Sequence, residues 1–143
     1  LGPKELRAEV KEKFVKEENQ EQLTVSVLSF GFKYGVPADA DLMFDVRFLP
    51  NPHYVDSLRP LTGDDPRVQE YVLKWPITQN FKDKLFDLIE FLLPQYVKEG
   101  KTHLTIAIGC TGGKHRSVTL ANKLYQEIDG DYNLLIEHRD SDK

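Results

Sequence analysis

The densest chemistry in the chain lies in Gly109-Cys110-Thr111-Gly112-Gly113-Lys114-His115-Arg116-Ser117. Its glycines let the backbone turn tightly and bare its N–H groups. Lys114 and Arg116 add positive charge, and an arginine grips an oxyanion through paired hydrogen bonds. The apolar run Leu104–Ile108 precedes this stretch and the periodic segment Ser117–Ile128 follows it, so the loop joins a buried strand to a helix N-terminus. Free amides and the helix dipole at such a junction favour an anion. Thr111, Gly112, Gly113, Lys114, His115, Arg116 and Ser117 are therefore read as a phosphate- or carboxylate-binding loop. His115 either donates to the anion when protonated or faces solvent.

The same loop supports an alternative from another class. Cys110, followed by Arg116 and Ser117, has the spacing of cysteine phosphatases, in which a thiolate attacks phosphorus while an arginine and backbone amides hold the oxygens. Catalysis would then rest on Cys110 and Arg116. Gly109 stands where such enzymes carry a histidine, and Trp75-Pro76-Ile77, the counterpart of an acid loop, has no aspartate at its third position. The plainer reading makes Cys110 a small buried strand-end residue and the domain non-enzymatic. Lys114 is followed by His115, so the loop is not a Walker A motif. The 4 histidines and 1 cysteine show no metal-ligand spacing.

The elements that must position this loop follow from hydrophobic period. Leu23–Phe30 alternates as a strand, and Leu42–Phe48 reads as a second strand carrying Asp45 and Arg47 on one face, as an ion pair or as ligand-orienting groups. Pro50–Asp65 is a long loop holding His53. Asp65-Pro66 has the form of a cap and first helical residue for a short helix to Leu73. Thr78 is expected to cap a longer helix through Tyr96, with Pro94 kinking or ending it. Leu134–His138 is a last strand; His103 and His138 read as structural. Strands alternating with helices predict an α/β fold with a mixed, largely parallel sheet flanked by helices. Lys4–Lys16 has a thin apolar stripe at helical spacing and reads as a linker or docking helix.

With 143 residues, 40% of them hydrophobic and 29% charged, the chain suits one folded domain. A net charge of -4 disfavours nucleic-acid binding driven by overall charge. No apolar run approaches the ~18 residues of a membrane span. A lone cysteine and a charged first segment without an apolar core point to the cytoplasm. The chain starts at Leu1 and its one methionine is Met43, which suits a fragment of a longer protein.

Five motifs carry a resemblance: Phe30–Gly35 (FGFKYG), Asp41–Leu49 (DLMFDVRFL), Pro50–Tyr54 (PNPHY), Leu58–Gly63 (LRPLTG) and Ile108–Val118 (IGCTGGKHRSV). Together they resemble the C-terminal domain of the RapZ (YvcJ-like) family of bacterial nucleotide-binding proteins and RNase adapters. The resemblance implies a domain like a 6-phosphofructokinase subdomain, turned to ligand sensing and to homo-oligomer formation. It divides the chain into 1–20, a linker from an absent P-loop domain that binds ATP or GTP, and 21–143, the sensing domain. It implies binding of an amino-sugar phosphate, glucosamine 6-phosphate, through His53, Thr111, Gly112 and Arg116. It also implies contact with RNA, here through Lys33, Tyr34 and Lys114, and with an RNase or regulatory protein. No cofactor is implied for this domain itself. The chain departs from the RNA-binding branch at Tyr34, where that branch has histidine, and in its tail Arg139–Lys143, whose acids repel phosphate.

Overall fold

The computed structural model describes residues 22–143. The expected helix Lys4–Lys16 and the division at residues 20 and 21 lie outside them. Strand β1 (Thr24–Gly31) turns Val25, Val27 and Ser29 inward; of the alternate residues Thr24, Ser26 and Leu28 are half-buried and Phe30 is buried. Strand β2 (Leu42–Asp45) is short and lies at one edge. Helix α1 (Pro66–Leu73) starts as its sequence dictates: the Asp65 carboxylate accepts the Arg67 N–H at 2.9 Å, and Pro66 occupies the first turn. Helix α2 (Pro76–Glu99) leads into strand β3 (His103–Cys110), then helix α3 (Arg116–Glu127) and strand β4 (Asn133–His138).

The strands are ordered β2-β3-β1-β4 and every pairing among them is parallel. The expected mixture thus reduces, among the described residues, to a wholly parallel sheet in an α/β fold. Parallel neighbours need crossovers, and the helices supply them. α3 is apolar along one side through Val118, Leu120, Ala121 and Leu124, and it packs on β1, β3 and β4. The core joins Val25, Val27, Leu104, Ile106 and Ile108 of the sheet to Val68 and Val72 of α1 and to Leu85, Ile89 and Leu93 of α2. Register pairs Gly31 with Cys110 and Asp45 with Gly109, so the carboxyl ends of three strands lie side by side. In open parallel sheets that edge is where ligands bind.

Three local expectations are corrected. Strand β2 ends at Asp45 rather than Phe48, because the Asp45 carboxylate takes both the backbone and the side chain of Arg47 and turns the chain. Arg47 is therefore off the strand, and the pair is an exposed ion pair at 2.6 Å. Thr78 does not cap α2: the helix starts at Pro76 behind Trp75, and the Thr78 hydroxyl is buried inside. Pro94 does not end the helix. It sits on the exposed side, where its lost backbone bond faces water, and the helix continues to Glu99. Gly100, at φ 95, closes it in the left-handed region. Among the described residues no helix is long and apolar enough to cross a membrane.

Gly109 marks the tightest packing at the strand ends. Phe30 and Phe32 meet edge to face at 4.8 Å, with the Arg47 guanidinium 4.0 Å from the Phe32 ring centre. A Cβ on Gly109 would stand 2.4 Å from Phe30 Cζ and 2.7 Å from Phe32 Cε2. Gly109→Ala should destabilise the domain by about 1–3 kcal/mol through overpacking. Gly112→Ala, whose Cβ meets nothing within 4 Å, should cost far less. Urea unfolding of both variants checks this; equal midpoints would show that the rings yield freely.

Candidate functional site

Between β3 and α3 the loop folds against the end of β1. A Cβ on Gly31 would stand 2.4 Å from the Gly112 carbonyl carbon, and a Cβ on Gly113 would stand 2.5 Å from the Gly31 nitrogen. Only glycines at both positions allow the two backbones to touch, and Gly113 also has φ 75. Lys33 N–H donates to the Thr111 carbonyl at 3.2 Å, and Gly63 N–H donates to the Lys114 carbonyl at 2.8 Å. The loop is thus tied on one side to the turn after β1 and on the other to the long loop before α1. Among the described residues, no protein acceptor takes the N–H groups of Gly112, Gly113 or Lys114.

Over this loop opens a cavity of about 410 Å³. Lys33, Arg59, Lys114, Arg116 and Lys143 contribute cations to its lining, with Tyr34, Asn51, His53, Tyr54, Cys110, Thr111, Gly112 and His115 between them. Among the described residues no carboxylate lines it. Two other cavities reverse this pattern. One, between α2 and the end of α3, has Glu90, Glu127 and Asp129 and no lysine or arginine. The other, beside β4, has Asp39 and Glu137 and again no cation. In a chain of net charge -4, this cavity differs from those two in gathering positive charge.

Arg116 is the centre of it. The residue is 4% exposed at the first position of α3. One guanidinium nitrogen donates to the Arg47 carbonyl at 2.6 Å and the Leu49 carbonyl at 3.1 Å; the other reaches Thr111 Oγ1 at 3.5 Å. Its Nε is buried without a partner. Among the described residues no carboxylate comes within 4.0 Å of it. Asp45 is near enough to feel its charge, but Arg47 holds that carboxylate: the Arg47 hydrogen bond is the main cause of its lowered pKa. A buried cation without a counter-ion is costly. Arg116 lines the cavity held by backbone carbonyls and without a counter-ion, an arrangement that suits an oxyanion.

The residues singled out in the sequence separate into two groups. Thr111, Gly112, Lys114 and Arg116 line the cavity, and His53 joins them across it from the turn Pro52–Tyr54. Lys33 and Tyr34 form part of the same lining, with Lys33 Nζ 5.3 Å from the Tyr34 ring centre. Gly113 and Ser117 do not line it. Gly113 is packed against Gly31, and Ser117 is fully buried with its Oγ 3.1 Å from Cys110 Sγ. His115 neither faces solvent nor offers a charged donor. It is buried, and its Nε2 lies 3.2 Å from the Arg59 carbonyl. Burial pushes its pKa below the usual value of 6.5, so the ring is neutral at pH 7.

Arg59, Asn51, Tyr54 and Lys143 also line the cavity. The first three lie in or beside motifs of the long loop. Lys143 follows the last strand, and no local pattern announces it. For the phosphatase alternative the geometry is unfavourable. Cys110 is among the lining residues but is 2% exposed, with its Sγ 3.1 Å from Ser117 Oγ; among the described residues no carboxylate lines the cavity to serve as acid, and Trp75 lies at the start of α2, outside the lining.

A parallel sheet flanked by helices, with a glycine loop at its strand ends, belongs to the open α/β domains, whose ligands bind at the carboxyl edge of the sheet. Comparison with known proteins makes the class particular: the family model of the RapZ C-terminal domain matches residues 23–142, and the chain belongs to that family. A "Nucleotide-binding protein" of Agathobacter rectalis is 56% identical over 145 residues, covering 100% of this chain and 50% of that protein. One from Caldicellulosiruptor bescii is 57% identical over 100% of this chain and 50% of its own length. "Nucleotide-binding protein YvcJ" of Bacillus subtilis is 55% identical over 100% of this chain and 48% of its own length. The chain spans about half the length of the curated relatives it matches.

Burial lowers the pKa of His138 as it does that of His115. Each binds its proton more weakly folded than unfolded, so their contribution to stability is complete above pH 6.5 and is lost as pH falls below it. Thermal melting should show Tm falling from pH 7.5 to pH 5. A His115→Gln, His138→Gln double variant should show a shallower fall; an equally steep one would place the acid sensitivity elsewhere.

Proposed function

We propose that this domain is a non-enzymatic sensor for a phosphorylated amino sugar of the glucosamine 6-phosphate kind. It would serve as the regulatory half of an adapter whose other half binds nucleotide. The observation that carries the reading is Arg116: a guanidinium 4% exposed, its Nε unpartnered, with no carboxylate in reach among the described residues. A phosphate monoester brings close to two negative charges and several acceptor oxygens. Arg116 and the free amides of Gly112 and Lys114 suit those oxygens, and Thr111 adds a hydroxyl. Asn51, His53 and Tyr54 offer neutral donors and acceptors to the sugar. The nucleotide function of the whole protein follows from the names of the relatives and is assigned to the half this chain does not span.

Arg116 also holds the carbonyls of Arg47 and Leu49, so Arg116→Ala would disturb the turn after β2 as well as the site. Arg116→Lys keeps charge and reach while removing the forked donor. Calorimetric titration with glucosamine 6-phosphate should show binding by the wild type and a loss of about tenfold to a hundredfold in Arg116→Lys, the equivalent of one charge-assisted bond. His53→Ala should weaken binding less, and unphosphorylated glucosamine should not bind. Equal affinity of wild type and Arg116→Lys, both folded, would move the ligand away from this loop. Hydrolysis of an aryl phosphate that vanishes in Cys110→Ser would replace the sensor with a phosphatase.

A further inference from the structure

Next to the loop lies a carboxylate that this binding chemistry leaves unused. Asp140 follows β4, is 1% exposed and does not line the cavity. Its Oδ2 accepts the Gly31 N–H at 2.8 Å. The Arg139 guanidinium lies 2.8 Å from Oδ2, and Lys143 Nζ lies 2.9 Å from Oδ1. Gly31 is the backbone on which Gly112 and Gly113 rest. A Cβ on Gly113 would meet both the Gly31 nitrogen, at 2.5 Å, and Asp140 Cβ, at 3.0 Å. Carboxylate, strand end and glycine loop therefore form one stack with no slack in it.

We propose that Asp140 is a positioning residue of the anion loop: by fixing the Gly31 N–H it fixes the surface on which Gly113 rests, and with it the place of Gly112 and Lys114 at the cavity. The proposal rests on the reading of Thr111–Arg116 as an anion site. It carries a distinctive sign. Burial pushes the Asp140 carboxyl up, but Arg139, the Gly31 N–H and Lys143 outweigh it and hold its pKa at about 2. Asp140 is thus fully charged at neutral pH. Acting through space alone, a negative charge near an anion site repels the anion, and removing it strengthens binding. Acting through Gly31, it strengthens binding, and removing it weakens the site.

The test is calorimetric titration of the full chain with inorganic phosphate and with glucosamine 6-phosphate, alongside thermal melting. Asp140→Ala removes acceptor and charge; Asp140→Asn removes the charge and keeps an oxygen for Gly31. Asp140→Ala should weaken binding at least about tenfold, the scale of one buried hydrogen bond, and Asp140→Asn should restore it to within about threefold of wild type. A folded Asp140→Ala that binds as tightly as wild type or tighter overturns the proposal, as does an Asp140→Asn as weak as the alanine variant. Should Asp140→Ala not fold, amide NMR of the wild type decides. Saturating phosphate should shift Gly31 together with Gly112 and Gly113, and a Gly31 resonance that stays still overturns the proposal. A wild type that binds neither probe overturns the site reading and this inference with it, whereas binding indifferent to Asp140→Ala overturns the positioning role alone.

Discussion

Two backbones touch at the centre of this domain with no side chain between them. Gly31 ends β1 and Gly113 belongs to the loop after β3. A methyl group on either would fall within 2.5 Å of the other segment. Much else at the strand ends follows from that contact. It brings the loop down onto the sheet, so that Lys33 N–H reaches the Thr111 carbonyl and Asp140 reaches Gly31. It also sets the height of the α3 N-terminus, from which the Arg116 side chain extends to the carbonyls of Arg47 and Leu49. Close backbone approach is a general means of gathering amide donors around an anion; here it is bought by leaving two positions without side chains.

Arg116 then links the site to the rest of the fold. A buried charge needs hydrogen-bond partners. Two carbonyls from the turn after β2 take the shorter of the bonds Arg116 makes, and its Nε has none. That turn exists because Asp45 closes on Arg47 and stops the strand early. The ion pair of Asp45 and Arg47 is about half exposed and contributes little as an ion pair. Its importance is geometric: it places the carbonyls that hold the guanidinium still while leaving Nε unused.

The sequence made some of this legible and hid the rest for identifiable reasons. Asp65-Pro66 announced α1 because capping is a local event within one turn. The glycine loop between an apolar run and a periodic segment announced the site, since glycines, cations and a strand-to-helix junction are all local signals. The order β2-β3-β1-β4 was not readable, because it depends on which strands meet across the sheet. Ser117 has the neighbours of a ligand, yet at the start of a helix successive side chains point about a hundred degrees apart. Arg116 is therefore sent to the cavity, which His115 also lines while reaching the Arg59 carbonyl, and Ser117 faces Cys110. Thr78 resembled a cap, but Pro76 two residues earlier could already begin the helix, and the threonine was drawn inside.

The same geometry explains how a loop with the spacing of a phosphatase can be built for holding rather than cleaving. An attacking thiolate must face the anion and be free of competing contacts. Here the position before Cys110 is filled by the rings of Phe30 and Phe32 lying over Gly109, which leaves no room for a histidine. The thiol itself lies against Ser117, on the buried side of the strand end. Cys110 lines the cavity, but among the described residues no carboxylate stands there to serve as acid, an arrangement that suits holding a phosphate better than cleaving it. The cations around it are mostly engaged: Arg59 with Asp56, Lys143 with Asp140, and Arg116 with two carbonyls. Their orientation is thus set before any anion arrives, and little side-chain freedom remains to be lost on binding. A preorganised site of this kind suits a sensor, because ligand affinity is then governed by the loop and by whatever holds the loop in place.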